Sequence, residues 1–389
     1  MENIGLTLTA VLGAFGYGVV VALLGSIKLK LAEERKLDDA QVGKLISVLS
    51  FTSLIMVVVV GVLLDRFGHQ PVIVLGSLIT ALAILLIAYV PSYGLLTASC
   101  ILLGIGGMGF NTAANTLLVM RGVITAEGGA AASNIGNVFF GVGAMTVPAL
   151  TAFLFRKYKY GPSVTVIAAI LVLPMIVALV SKFPPIEAGF DLNEFFRLLG
   201  ETAVIIGGLA LLCYIALEVS MAGWITSYLK SQGLEDARCS STLSLFWVAL
   251  LVARLIAGLL VLVRIPPAHH AWAIVALAVL ATITIVTMIT TRSKGAAVAG
   301  VIAAGLWFGP IFPTTVGVTL ARFPEAVAGR VFGPIFAIGL IGGTIVPAAI
   351  GYYSKGKSIQ KSLTILAVAA ALLAIIGVIM AATYLPATT

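Results

Sequence analysis

"SLITALAILLIAYV", Ser77 to Val90, carries no charged residue and no alternation of apolar with polar positions. A strand of a membrane barrel needs about ten residues that alternate between lipid and lumen. This stretch alternates nowhere, so its backbone can satisfy itself in a bilayer only as a helix. Extended to residues 71–91 it reaches about the 20 apolar residues that a helical span requires. Runs of the same kind fill the chain, at 5–27, 41–64, 71–91, 94–120, 130–155, 162–181, 202–229, 241–263, 271–290, 295–321, 330–353 and 362–384. The expected fold is therefore an all-α integral membrane protein of twelve transmembrane helices.

Composition agrees. Of 389 residues, 60% are hydrophobic and 10% are charged, where a soluble domain carries about 25% charged residues. The mean hydropathy is +1.15. Between the spans there is no room for a soluble domain. The first span lacks a basic leader and a small-residue cleavage site, so it is expected to be a retained helix. The three cysteines form no CxxC pattern, and His69, His269 and His270 fall in connections without metal-ligand spacing. No nucleophile motif appears either, so neither enzyme chemistry nor a metal or other cofactor is expected. The net charge of +8 is spread over connections without an aromatic-interleaved basic cluster, apart from the short "RKYKY" turn, and so is no nucleic-acid footprint.

The chain repeats itself at a separation near 200 residues. "GAMTVPA" from Gly143 returns as "GGTIVPA" from Gly342, "LDDA" from Leu37 returns as "LEDA" from Leu234, and Arg121 and Arg322 each close a Gly-rich span. The order and offset are shared, which implies two parallel six-helix bundles. Their expected extents are residues 1–181 and 202–389. Residues 182–201, "KFPPIEAGFDLNEFFRLLGE", form the polar linker, read either as a plain loop or as carrying a short amphipathic surface helix from Leu192 onward.

"GVLLDRFGHQP", Gly61 to Pro71, resembles the signature between the second and third helices of the major facilitator superfamily. The resemblance implies transport by alternating access between two six-helix bundles. It also implies a conformational latch at Gly61, Asp65, Arg66 and Gly68. Asp65 would face the positive end of a helix, Arg66 a carboxylate or carbonyl, and the glycines would allow close backbone approach. The counterpart in the second half is degenerate, with Leu262 where Asp65 would be matched.

Within that superfamily five stretches resemble the fucose, galactose and glucose symporter family. They are "NTAANTLLV" in the fourth span, "ASNIGNVFFGVGAMTVP" in the fifth, "YIALEVSMAGWITSYL" in the seventh, "ARLIAG" in the eighth, and "FPTT" with "IGGTIVPAAIGYYS" in the tenth and eleventh. The resemblance implies a neutral hexose or related polyol as substrate, with proton or sodium coupling as one option. Proton-coupled members carry acids in the first and fourth spans, whereas this chain has "GYGVVVALLGSI" and Asn111 there, and Phe140 stands where an amide is common. Facilitated diffusion is thus a second option.

Glu218 lies mid-span, where an ionised side chain costs on the order of 3 kcal/mol and needs a cavity or a partner. Arg254, in the next span, is the economical partner. The pair either pins the seventh span to the eighth or carries substrate or a proton. Asn111 with Asn115, and Asn134 with Asn137, share helix faces; Asn111, Asn115 and Asn137 are the expected hydrogen-bonders to sugar hydroxyls, with Asn134 divided between that role and interhelical packing. Trp224 and Trp307, with Tyr17 and Phe308 behind them, are candidate walls against which sugar C–H faces stack.

The alternative is a metabolite or drug exporter of the same superfamily, with Arg254 suggesting an anionic substrate. A channel fits poorly with a two-fold parallel repeat, and a sensor without transport is a further class. A monomer in a bacterial inner membrane is expected, with both termini cytoplasmic by the resemblance. The basic residues oppose that orientation: "RKYK" at 156–159 and "KGK" at 355–357 lie on the other side, against the positive-inside rule.

Overall fold

The structure is a computed structural model that describes residues 4–118, 120, 123, 129–183, 192–263, 269–323, 325–355 and 358–383; the side chains at 65, 129–136, 192, 258–263 and 325–330 are outside that description. In chain order the helices are α1 (Ile4–Arg35), α2 (Asp39–Phe67), α3 (His69–Tyr89), α4 (Tyr93–Leu118), α5 (Gly129–Lys157), α6 (Tyr160–Ile170), α7 (Leu173–Val180), α8 (Leu192–Leu199), α9 (Thr202–Ser231), α10 (Asp236–Val263), α11 (His270–Thr290), α12 (Lys294–Phe308), α13 (Ile311–Leu320), α14 (Glu325–Ser354), α15 (Ile359–Ser362) and α16 (Thr364–Thr383). Among the described residues twelve spans are long and apolar enough to cross a bilayer, with α6 and α7 forming the sixth, α12 and α13 the tenth, and α15 and α16 the twelfth.

Local chemistry sets the boundaries. Asp38 accepts the backbone N–H of Gln41 while the Gln41 side chain accepts that of Asp38, a capping box that starts α2. At the other end of α2 only Gly68 separates it from α3, with φ at 79°, a conformation that costs a residue with a Cβ but not glycine. Pro174 sits at the start of α7, and Pro310 and Pro313 flank the start of α13, so the sixth and tenth spans break where a ring cannot continue the hydrogen-bond ladder. The first span departs from the sequence reading. α1 does not end near residue 27 but continues to Arg35, because Lys28 lies inside the protein and not at its edge. His69 and His270 likewise stand on helices and not in connections.

The two repeat glycines make equivalent contacts. A Cβ on Gly143 would run into the carbonyl of Phe15 on α1, and one on Gly342 into the carbonyl of Leu212 on α9. In each half the fifth helix therefore lies backbone to backbone against the first, a packing that only small residues permit. α8 folds within the linker and buries Phe195 and Leu198, while Phe196 and Arg197 stay exposed. Its apolar face covers α14 near Val331, Gly333 and Ile335.

Successive spans run antiparallel, which brings the ends of α1, α5, α9 and α14 and the starts of α2 and α10 to the side away from the termini. There the halves meet. Thr226 Oγ1 donates to the Gly25 carbonyl at 3.2 Å, and Ser244 Oγ to that of Met145 at 2.7 Å. Lys355 pairs with Asp38 at 3.1 Å. Gly43 of α2 and Gly351 of α14 lie so close to the opposite backbone that an added Cβ would stand 2.8 Å from the carbonyls of Pro347 and Asp39 respectively. This end of the molecule is sealed.

Candidate functional site between the halves

Pro313 has no N–H to offer the carbonyl four residues earlier, which belongs to Gly309. Arg254 of α10 takes that acceptor: its Nε donates to the Gly309 oxygen at 3.0 Å. The same guanidinium reaches α9, with Nη2 at 3.1 Å from Glu218 Oε1 and 3.0 Å from the Tyr214 hydroxyl. Tyr214 in turn donates to Glu218 Oε1 at 2.7 Å. Three helices are thus joined by one largely buried charge pair in which Arg254 Nε and Nη2 and Glu218 Oε1 are all engaged, the kind of added hydrogen bonding that lets a buried ion pair be tolerated.

Aromatic rings frame this cluster from both halves. Phe140 of α5 and Phe312 of α13 each lie 5.9 Å from the Arg254 guanidinium carbon, within reach of a cation–π attraction. Phe140 contacts Tyr17 of α1 at 5.8 Å between ring centroids and Trp247 of α10 at 6.2 Å. Phe312 meets Tyr214 at 5.8 Å and Phe336 at 6.3 Å. The first half therefore presents Tyr17 and Phe140 to the charge pair of the second.

The amides are placed as follows. Asn115 Nδ2 donates to both the backbone and side-chain oxygens of Asn111, each at 2.8 Å, so the two share one face of α4 and partly satisfy each other. Asn137 is half-buried on α5, one turn before Phe140 and Gly141. The Asn134 side chain falls outside the described residues.

The remaining aromatic candidates sit elsewhere. Trp224 is fully buried in the sealed end, Trp307 donates from Nε1 to Thr284 Oγ1 on α11 at 3.0 Å, and Phe308 packs edge-on against Phe246 inside the second half. Of the latch residues, Arg66 is exposed, Gly61 is half-buried and Gly68 makes the turn to α3; the Asp65 side chain is outside the described residues.

Sequence reasoning missed Tyr214, Phe312, Trp247 and Lys28. Tyr214 precedes Glu218 by one helical turn, a spacing that places both on one face. Phe312 lies between the two prolines of the tenth span. Lys28 gave no such signal, because a lysine at the end of an apolar run reads as a boundary.

The sequence profile of the Major Facilitator Superfamily matches residues 6–347. The inner membrane transport protein YdiN of Escherichia coli K12 is 27% identical over 358 residues, covering 88% of this chain and 81% of its own. The uncharacterized MFS-type transporter YfkL of Bacillus subtilis 168 is 24% identical over 360 residues, covering 89% and 88%. The crystal structure of an asparagine-to-alanine variant of the E. coli fucose:proton symporter FucP superposes with a TM-score of 0.68 at 18% identity, over 98% of this chain and 99% of that one.

Proposed function

Because this chain belongs to the Major Facilitator Superfamily and is thus a multi-pass membrane transporter, we propose that it carries a neutral sugar, a hexose or related polyol, by alternating access. The observation that carries this reading is the closure of the central charge pair. Arg254 is held through Nε and Nη2 by the Gly309 carbonyl, Tyr214 and Glu218, and the carboxylate beside it balances its charge, so the cluster carries no net charge to draw an anionic substrate. What faces the space between the halves is a neutral polar cluster with aromatic rings around it, a surface suited to hydroxyls and C–H faces. The likeness to a fucose:proton symporter supports the same class.

In this reading Tyr17, Phe140 and Phe312 line the site, and Asn111, Asn115 and Asn137 provide hydrogen bonds. Trp224, Trp307 and Phe308 sit apart from this cluster and are not part of the proposed wall. Glu218 is the candidate for coupling to protons or sodium, since among the described residues it is the mid-span carboxylate that accepts from Tyr214 and lies near Tyr17. Two bundles meet at this site, residues 1–181 and 202–389, and the linker 182–201 lies on the cytoplasmic side with both termini. The protein works as a monomer in a bacterial inner membrane.

Uptake of labelled hexoses into proteoliposomes, with and without imposed proton and sodium gradients, tests the proposal on wild type and Glu218→Gln. Gradient-driven accumulation that is lost in the variant while downhill exchange persists is the expected result for a coupled carrier. Equal equilibration in both proteins identifies a uniporter. Absence of hexose transport, with uptake of an anionic metabolite instead, overturns the sugar assignment in favour of an exporter-type reading.

A further inference from the structure

Lys28 is 1% exposed, and its ammonium has no hydrogen-bond partner among the described residues. Its Nζ stands 3.1 Å from the centroid of the Trp224 ring, and that ring is itself fully buried, its N–H unpartnered among the described residues. The lysine comes from α1 in the first half and the tryptophan from α9 in the second. Their contact crosses the sealed end of the molecule. Around it Gly25 lies against the Ala222 backbone, and Gly43 and Gly351 leave room for the indole, at 3.1 and 3.2 Å from an added Cβ to Trp224 Cζ2. Ile46 of α2 covers Gly223 on the same side.

An ammonium has three donors and no acceptor. Removed from water without an acceptor, it opposes the state that buries it. An indole face offsets part of that opposition, and the Asp39 carboxylate at the start of α2 offsets a further part through space, with burial remaining the larger effect. When the halves separate at this end, water reaches the ammonium and the ring contact is lost. The two residues therefore act on the same equilibrium in opposite directions: the charge favours opening, and the ring favours closure.

We infer that Lys28 and Trp224 form a charge-operated gate at the end of the transporter away from its termini, with the lysine disfavouring the sealed state and the tryptophan holding it. The inference rests on alternating access and not on the identity of the substrate, so it survives if the sugar assignment fails. It also explains why a lysine occupies a position where a leucine or methionine would pack with no desolvation cost.

The test is the rate at which a water-soluble maleimide labels an Ile46→Cys reporter in detergent-solubilised full-length protein. Ile46 is 3% exposed in the sealed state and lies between the halves. The three native cysteines are buried on helices, and their labelling in protein without the reporter is the background. In the reporter protein Lys28→Met should slow labelling by about tenfold, and Trp224→Leu should accelerate it by about tenfold, the scale on which a contact of 1–2 kcal/mol shifts an equilibrium. Lys28→Arg, which keeps a cation over the ring, should stay near the parental rate. A loosened fold would raise labelling in every variant, so the slowed Lys28→Met rate separates a gate from damage; size-exclusion profiles confirm that each variant is folded. Labelling of Lys28→Met at or above the parental rate overturns the inference, and so does slowed labelling of Trp224→Leu.

Discussion

Glu218 and Arg254 compensate each other in a place where each side chain is only 11% exposed. Removing one partner leaves the other buried and unpaired, which costs about 3–5 kcal/mol in such pairs, whereas removing both charges together is often close to neutral. Arg254→Met should therefore lower the unfolding midpoint sharply in detergent, and Glu218→Gln combined with Arg254→Met should recover most of that loss. A double variant no more stable than the single one would mean that the pair contributes little. Sequence made this pair legible because two isolated charges stood in consecutive spans. Tyr214 was legible in principle through its four-residue spacing to Glu218. Lys28 was not, since hydropathy alone cannot distinguish a lysine that ends a span from one that is carried through a longer helix into the protein interior.

At the scale of the helix, α12 and α13 show how a break can supply chemistry. The missing N–H of Pro313 leaves the Gly309 carbonyl free for Arg254. Pro313→Ala gives back an N–H that competes for this oxygen, and removes a ring that interrupts the helix. The expected outcome is a protein at least as stable to heat but about tenfold slower in transport, a loss of the order that one positioned hydrogen bond accounts for; unchanged transport would show that Arg254 does not depend on this acceptor. At the start of α2, Asp38 accepts the Gln41 N–H and pairs with Lys355, and the backbone hydrogen bond first and the lysine second hold its carboxyl below the usual value. A lowered folded value contributes stability above the unfolded one, and that contribution is lost as pH falls through the folded value. Asp38→Ala should cost about 1 kcal/mol at neutral pH, as loss of an N-cap does, and the difference from wild type should narrow in acid when both are melted side by side. The helices themselves were readable from apolar run length; the breaks within two of them were not placed, because a proline in a membrane helix can kink it or end it.

For the whole molecule, the sealed end has to come apart if the substrate is to leave on both sides. Asp38 and Lys355 face each other across it, so cysteines at both positions joined by a short bifunctional thiol reagent should stop transport, and a cleavable reagent followed by reductant should restore it. Transport through the cross-linked protein would show that this end stays closed in the cycle. The two-fold repeat was visible in the sequence because Gly143 and Gly342 are backbone contact points, where no other residue fits. Which end is closed was not visible, since the glycines, serines and threonines that make the seal resemble those that pack any pair of helices.

α1 has 32 residues, about 48 Å of helix, and the sixth span has 21, about 32 Å. Yet the two are tied near both ends. Thr9 meets Ser181 at 3.3 Å, and the Arg35 guanidinium lies 5.9 Å from the Tyr160 ring. At about 48 Å α1 exceeds the roughly 30 Å of bilayer hydrocarbon, a mismatch that a helix meets by leaning. Lipid thickness then has a mechanical grip on this helix: thinner hydrocarbon increases its lean and thicker hydrocarbon reduces it. The turnover rate of the reconstituted protein should accordingly change with the acyl-chain length of the host lipid, even when the substrate and its gradient are held constant.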